Sequence, residues 1–290
     1  MDPEILLDAR AGLGEGPSWD AAHNRLYWVD IHAGHLHIHD QQNQTNDLIS
    51  LGEALGCIAT CRNGDLILAL HSGLAKLNLA TRTRTRVVNP EPHLPGNRFN
   101  DGKCDPAGRF LVGTMDEAEE EASGSLYSYA PDGTLNTLLA GTRISNGLTW
   151  SPDFQTFYHI DTPTRQVTAF DYDLATGSIA NPRPVVRVPA ELGWPDGMTS
   201  DREGMLWVAM WAGAKITRWD PAKGDLLETI PIPALNVTSC IFGGPDLTDL
   251  YITSARKGIS DLDLERYPLS GGLFRLRTEV IGMPCFIFGG

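Results

Sequence analysis

Four oxygen-bearing side chains stand immediately before a glycine, each at the start of an apolar run. They are Glu15 in "LGEGPSW", Asp101 in "NRFNDGK", Asn146 in "ISNGLTW" and Asp196 in "GWPDGMTS". Three carboxylates and an amide form an all-oxygen donor set. Brought to one point, two like charges 4 Å apart repel by about 4 kcal/mol at an effective dielectric near 20. A shared cation removes that repulsion; without one, a carboxyl group must take a proton. Oxygen donors favour one hard divalent cation, with Ca2+ foremost and Mg2+, Mn2+ and carboxylate-bound Zn2+ open. Read singly, each pair is an ordinary turn dipeptide, as "DPAG" and "APDG" are in this chain. The apolar neighbours Leu148, Trp150, Trp194 and Met198 instead suit a buried strand start.

The elements that must bring these residues together are strands. Helical periodicity is nearly absent. Short β-rich runs such as "RLYWVDI", "DLILAL", "RFLVGTM", "TFYHID" and "MLWVAM" alternate with turn chemistry such as "PAGR", "PDGT" and "DREG". The runs repeat: "GPSWDAAHNRLYWVDIHAGHLHIHD" is similar to "GLTWSPDFQTFYHIDTPTRQVTAFDYD" and to "GMTSDREGMLWVAMWAGAKITRWDP". The residues that open the six copies are Glu15, Leu55, Asp101, Asn146, Asp196 and Ser239, at intervals of 40, 46, 45, 50 and 43 residues. That period suits four-stranded propeller blades. The expected fold is all-β, a six-bladed β-propeller with a central metal site, forming one domain over residues 1–290. "EILLDAR" is expected to add an outer strand to the last blade beside "GLFRL", closing the ring. Residues at the same end of every inner strand then face one another across a central channel. The glycine after each is expected to let the backbone bend tightly there.

Composition narrows the partners. The formal net charge of the 290 residues is −13, which argues against nucleic acid and gives no support to anionic membranes. No stretch approaches the roughly 20 apolar residues of a spanning helix. "MDPEILLDAR" lacks the basic and apolar regions of a signal peptide. Cys57, Cys61, Cys104, Cys240 and Cys285 are odd in number and form no CxxC pair, so buried, reduced thiols are expected. The location expected is cytoplasmic, as a monomer or weak homo-oligomer.

"LGEGPSWD", "NRFNDGKCDPAGRFLVGTM", "ISNGLTWSPD", "PDGMTSDREGMLWVAMWAGAKITRWDP" and "TSCIFGGPDLTDLYITSAR" resemble, in order, the regucalcin/gluconolactonase family, also called the senescence marker protein family. The likeness runs from about residue 10 to residue 275. It implies one divalent metal at the centre of a six-bladed propeller and hydrolysis of sugar lactones to aldonic acids. It places metal ligands on Glu15, Asn146 and Asp196, and substrate contacts on Arg98 and Asn100. Asp101 takes a neighbouring acidic position, behind the ligands or bound through water. The family's sugar-gripping glutamate aligns with Ala118, which leaves Glu117, or else Glu119, to replace it. On this basis Asp196 is expected to serve also as general base, with the metal as Lewis acid. No GxSxG elbow is present. A calcium-binding regulatory protein and a phosphotriesterase-like hydrolase are the other readings.

Other features carry weaker expectations. His35, His37 and His39 share one face of a strand, read as a solvated outer face. "DEAEEEAS" at 116–123 reads as a solvated loop or a lid over the channel, and "TRTRTR" at 81–86 as an exposed strand. His159 is expected to be buried with a hydrogen-bond partner. Trp194 and Trp211 are set for stacking on a sugar ring or for core packing.

Overall fold

In the strand Arg25–Asp30, Leu26 and Trp28 pack to one side, while Tyr27 and Val29 pack to the other. All four are buried. A strand with both faces covered reads as a continuous apolar run, not an alternating one, and many runs of this chain have that character.

The computed structural model describes residues 2–290. Among them, 24 strands form six four-stranded antiparallel sheets. The sheets span residues 14–50, 55–88, 97–142, 145–187 and 194–231. The sixth joins 236–277 to the N-terminal strand Glu4–Leu7. That strand pairs antiparallel with Leu273–Arg277, Ile5 lying opposite Phe274. Both chain ends thus enter one blade, and the six-bladed β-propeller closes as expected. One α-helix of six residues, Asp261–Arg266, interrupts the strands, with the Ser260 hydroxyl accepting from the Asp263 N–H as its cap.

The core is a ring of six apolar wedges, one between each pair of neighbouring blades. Tyr27, Val29 and Leu36 meet Ile58, Leu66 and Leu68 between blades one and two. Trp207 meets Phe242 edge to face between blades five and six. Leu26 and Trp28 meet Tyr251 between blades six and one.

That last wedge corrects the reading of the three histidines. His37 and His39 are buried. His37 lies opposite Trp28 on the adjacent strand and stacks on its indole at 3.9 Å. The third strand of a propeller blade is still covered by its neighbour. Burial lowers the His37 pKa to about 4, so the ring is neutral there and behaves as an aromatic packing unit.

The C-terminal segment was not legible in the sequence. Beyond the last strand it runs beneath the ring, opposite the end where the inner strands begin. Met283 N–H donates to Ser200, Phe288 N–H to Thr60 and Gly289 N–H to Gly108, at 2.8–3.0 Å. These bonds reach blades five, two and three. Met283, Pro284, Cys285 and Phe286 line a small cavity there together with Lys103. Phe288 inserts between blades two and three and stacks on Tyr129 at 5.6 Å.

Candidate functional site

Every inner strand carries an irregularity at the same place. The register breaks between Glu15 and Ser18, Leu55 and Cys57, Phe99 and Gly102, Asn146 and Leu148, Pro195 and Met198, and Val237 and Ser239. A β-bulge leaves a residue outside the ladder and re-aims its side chain. Six bulges at one level of the ring reshape the start of every inner strand, and in blades two and four the residue left out is a glycine, Gly56 and Gly147.

Three of the four glycines serve a different purpose from the one expected. Only Gly16 has positive φ among the four that follow the oxygen-bearing residues. A Cβ on Gly147 would lie 2.5 Å from the Asp196 carbonyl, and one on Gly197 would lie 2.0 Å from Ser239 Oγ. A Cβ on Gly102 would meet Cys57 Sγ at 2.8 Å. Six inner strands crowd round one axis, and there Gly102, Gly147 and Gly197 are needed for close approach, while Gly16, at φ 53°, takes the bent backbone expected of it.

At the end where the inner strands begin lies a cavity of about 470 Å3 whose wall includes Glu15, Arg98, Asn100, Asn146 and Asp196. These five and Asp101 are all 3–7% exposed. Asp101 stands behind the wall, its Oδ1 accepting from Gly102 N–H at 2.7 Å and its Oδ2 without a partner. The residues are linked in a chain. Arg98 Nη1 donates to Asn100 Oδ1 at 2.7 Å, and Asn100 Nδ2 donates to Asn146 Oδ1 at 3.0 Å. Asn146 Nδ2 donates to Thr162 Oγ1 at 2.9 Å, which donates to the Pro195 carbonyl at 2.8 Å. Arg98 Nε–H is buried without an acceptor.

The electrostatics are those of a negative point under strain. Burial, then the charge of Asp101, raises the Glu15 pKa to about 8. Burial, then Glu15 and Asp101, raises Asp196 well above the carboxylate range. Asp101 is raised by burial, against the pull of Lys103 and the Gly102 N–H. Lys103 is half-buried below the carboxylates and donates to the Met198 carbonyl. Burial lowers the Arg98 pKa, and Glu117, Glu119 and Glu15 oppose that effect.

Orphaned Asp101 Oδ2, the raised carboxylates and the all-oxygen donors fit a hard divalent cation held by Glu15, Asn146 and Asp196. The set is two carboxylates and an amide. Among the described residues, no three His, Cys, Asp or Glu side chains gather closely enough to hold an ion by themselves.

The acidic loop reaches the same cavity. Glu119 is in its wall, while Glu117 is not. Glu117 lies beside His32, whose Nδ1 is 3.5 Å away, within electrostatic range of Arg98. Glu119 Oε1 accepts from Lys257 Nζ, and the Glu119 and Glu120 carbonyls accept from Arg143. Trp194 and Trp211 are in the wall, with the Arg165 guanidinium 3.5 Å above the Trp194 ring. His159 is buried, 2.8 Å from Ser145 Oγ through Nε2, and burial lowers its pKa to about 4. It is absent from the wall. Thr162, Arg143 and Lys257 were missed in the sequence. Thr162 had a local signal, a hydroxyl in the turn that follows "FYHID"; Lys257 had none.

The family described as SMP-30/Gluconolactonase/LRE-like region matches residues 13–256. A protein of Bacillus subtilis (strain 168) named as a sugar lactone lactonase, YvrE, is 38% identical over 290 residues, covering 100% of this chain and 99% of the relative. Regucalcin of Gallus gallus is 39% identical over 293 residues, covering 99% and 98%. The crystal structure of a calcium-binding protein, regucalcin, from Agrobacterium tumefaciens superposes with a TM-score of 0.94 at 30% identity, over 99% of this chain and 97% of that one. By these matches over its whole length the chain belongs to the SMP-30/gluconolactonase family.

Proposed function

We propose that this protein hydrolyses a sugar lactone to the aldonic acid, using one divalent cation held by Glu15, Asn146 and Asp196. One observation carries the reading. Buried, mutually repelling Glu15 and Asp196, with Asp101 behind them, border a cavity of about 470 Å3 that also presents Arg98 and Asn100. The names of its relatives support the reading: a sugar lactone lactonase among the sequences for the substrate class, and a calcium-binding protein among the structures for the cation.

When bound, the cation supplies Lewis-acid polarisation of a carbonyl and a lowered pKa for water. The protein's own groups do the rest. Arg98 and Asn100, both in the wall, hold the ring hydroxyls and orient the ester. Glu119, in the wall, is better placed than Glu117 to accept from a sugar hydroxyl. Asp196 takes the proton as water oxygen bonds to the ester carbon. The ring C–O bond then breaks, and the departing oxygen receives that proton from Asp196 as it becomes the free hydroxyl. Trp194 and Trp211 flank the ring on the apolar side.

No helix of the described residues is long and apolar enough to cross a membrane. The five unpaired cysteines suit a reducing compartment, and we place the reaction in the cytoplasm. The test is a pH-stat panel of aldonolactones on chelated protein, with Ca2+, Zn2+, Mg2+ and Mn2+ restored one at a time. Acid release that depends on the ion supports the reading. Tight Ca2+ binding with no turnover of any lactone favours the calcium-binding reading instead.

A further inference from the structure

The chain of hydrogen bonds through Asn146 has a sense, and both ends dictate it. A guanidinium only donates. Arg98 Nη1 therefore requires the oxygen of the Asn100 amide, at 2.7 Å. The Asn100 nitrogen is left to donate, and it reaches Asn146 Oδ1 and the Ser145 carbonyl, each at 3.0 Å. The other end is the Pro195 carbonyl, which only accepts. It takes the single hydroxyl proton of Thr162 at 2.8 Å. Thr162 Oγ1 can then only accept from the Asn146 amide, at 2.9 Å, and so takes its nitrogen. The chain runs from blade three through blade four to blade five. It links the two residues read as substrate contacts with one ligand and with the carbonyl that precedes another.

We propose that Thr162 is a positioning residue for the cation. Its hydroxyl draws off the Asn146 nitrogen, leaves Oδ1 turned toward the site, and ties that amide to the backbone beside Asp196. An asparagine amide is nearly symmetric in shape, so sterics alone do not choose its rotamer. With Nδ2 facing the site, an N–H dipole would meet the positive charge. Thr162 is half-buried in the first turn after the strand Thr156–Asp161, within the cavity wall. Its hydroxyl is thus close enough to bond the ligand without being a ligand. Groups that orient metal ligands typically alter affinity by 10- to 100-fold when lost.

This inference rests on the proposed metal site, and its test separates the two. Affinity is measured on the metal-free full chain by isothermal titration calorimetry with Ca2+, and with Zn2+ and Mn2+ in parallel. Thr162→Val keeps the shape and removes the hydroxyl; the expected loss is 10- to 100-fold in affinity. Thr162→Ser restores the hydroxyl and should come back to within about threefold of wild type. Asn146→Asp supplies two equivalent oxygens and leaves no amide to orient. In that background Thr162→Val should cost no more than about threefold. Wild-type affinity in Thr162→Val overturns the proposal. So does an equal loss in the Ser and Val variants, or a full loss in the Asn146→Asp background. If Asn146→Ala itself leaves affinity unchanged, the ligand assignment fails, and the Thr162 inference with it. Loss in Asn146→Ala but not in Thr162→Val sinks only the latter.

Discussion

Glu119 Oε1 accepts a hydrogen bond from Lys257 Nζ at 2.6 Å, joining the loop between the second and third strands of blade three to the matching connection in blade six. Those blades are opposite in a ring of six, so the pair spans the mouth of the cavity, and both side chains are partly exposed. An exposed pair is worth at most about 1 kcal/mol and is screened by salt. Lys257→Ala should therefore leave thermal stability nearly unchanged and widen the entrance. The expected outcome is a rise in kcat/KM for bulky lactones relative to small ones, and that ratio should stop responding to added salt. An unchanged ratio in a substrate panel at low and high ionic strength would show that the strap does not gate entry.

Asp196 is asked to hold the cation and to carry a proton, two tasks that one substitution can separate. Asp196→Asn keeps the shape and an oxygen but removes the charge and the basicity. Cation affinity should fall, and at saturating cation kcat should still be down by about 10²- to 10⁴-fold, the usual reach of a general base. Recovery of wild-type kcat once the site is filled would leave Asp196 as a ligand only and move the base elsewhere.

The fold was legible because repetition is visible along a chain. Glu15, Asn146 and Asp196 stood at matching points of the copies, and the structure places all three in one cavity wall. What stayed hidden depended on neighbours distant in sequence. His37 and His39 look solvated in a strand read alone, yet blade six covers them. The glycines look like turn formers, yet Gly197 is fixed by Ser239 on the next blade. Lys257 sits 138 residues from its partner, and no short-range pattern announces it. Ala118 marked a gap in the expected acid; only the loop's path shows that Glu119 fills the wall.

The site predicts an unusual dependence of stability on pH. Glu15, raised from 4.5 to about 8 by burial and Asp101, prefers its neutral form when folded, and Asp196 is raised for similar reasons. A raised carboxyl stabilises the fold fully below its unfolded pKa, and that stability is lost as pH climbs through the folded value. Metal-free protein should lose Tm between about pH 4.5 and 8. A bound cation favours the ionised form, so the Tm increment on adding Ca2+ should grow across the same window. His37 and His159, lowered to about 4, act oppositely, their contribution lost as pH falls from 6.5 towards 4. They affect both samples alike and cancel in the difference. Paired melts with chelator and with Ca2+ check this; a pH-independent increment would mean the carboxylates are not the site.

Arg98 stands in the cavity wall with its Nη1 engaged on Asn100 and Phe99, which leaves Nη2 to meet a ligand. Hydrogen bonds to charged groups are worth about 1.5–3 kcal/mol, roughly 10- to 100-fold in binding. Arg98→Ala should raise KM by that factor with a smaller effect on kcat. Arg98→Lys, which keeps the charge but not the fork, should fall between the two. A normal KM in both variants would remove Arg98 from the substrate and leave it a structural donor.

Phe288 is the residue that anchors the C-terminal segment beneath the ring. It is 1% exposed between blades two and three. Its ring stacks on Tyr129 at 5.6 Å, and Lys76 Nζ lies 5.5 Å from its centroid. Its N–H and carbonyl bond Thr60 and Arg62, extending blade two by a parallel bridge. Truncating a buried phenylalanine typically costs about 3–5 kcal/mol through lost transfer energy and a residual cavity. Phe288→Ala should therefore lower the urea midpoint substantially. The proposed site stands at the other end of the inner strands, so kcat and KM of the folded fraction should hold. If stability survives, the segment is a loose tail; if kinetics collapse with it, the far end of the channel helps shape the site.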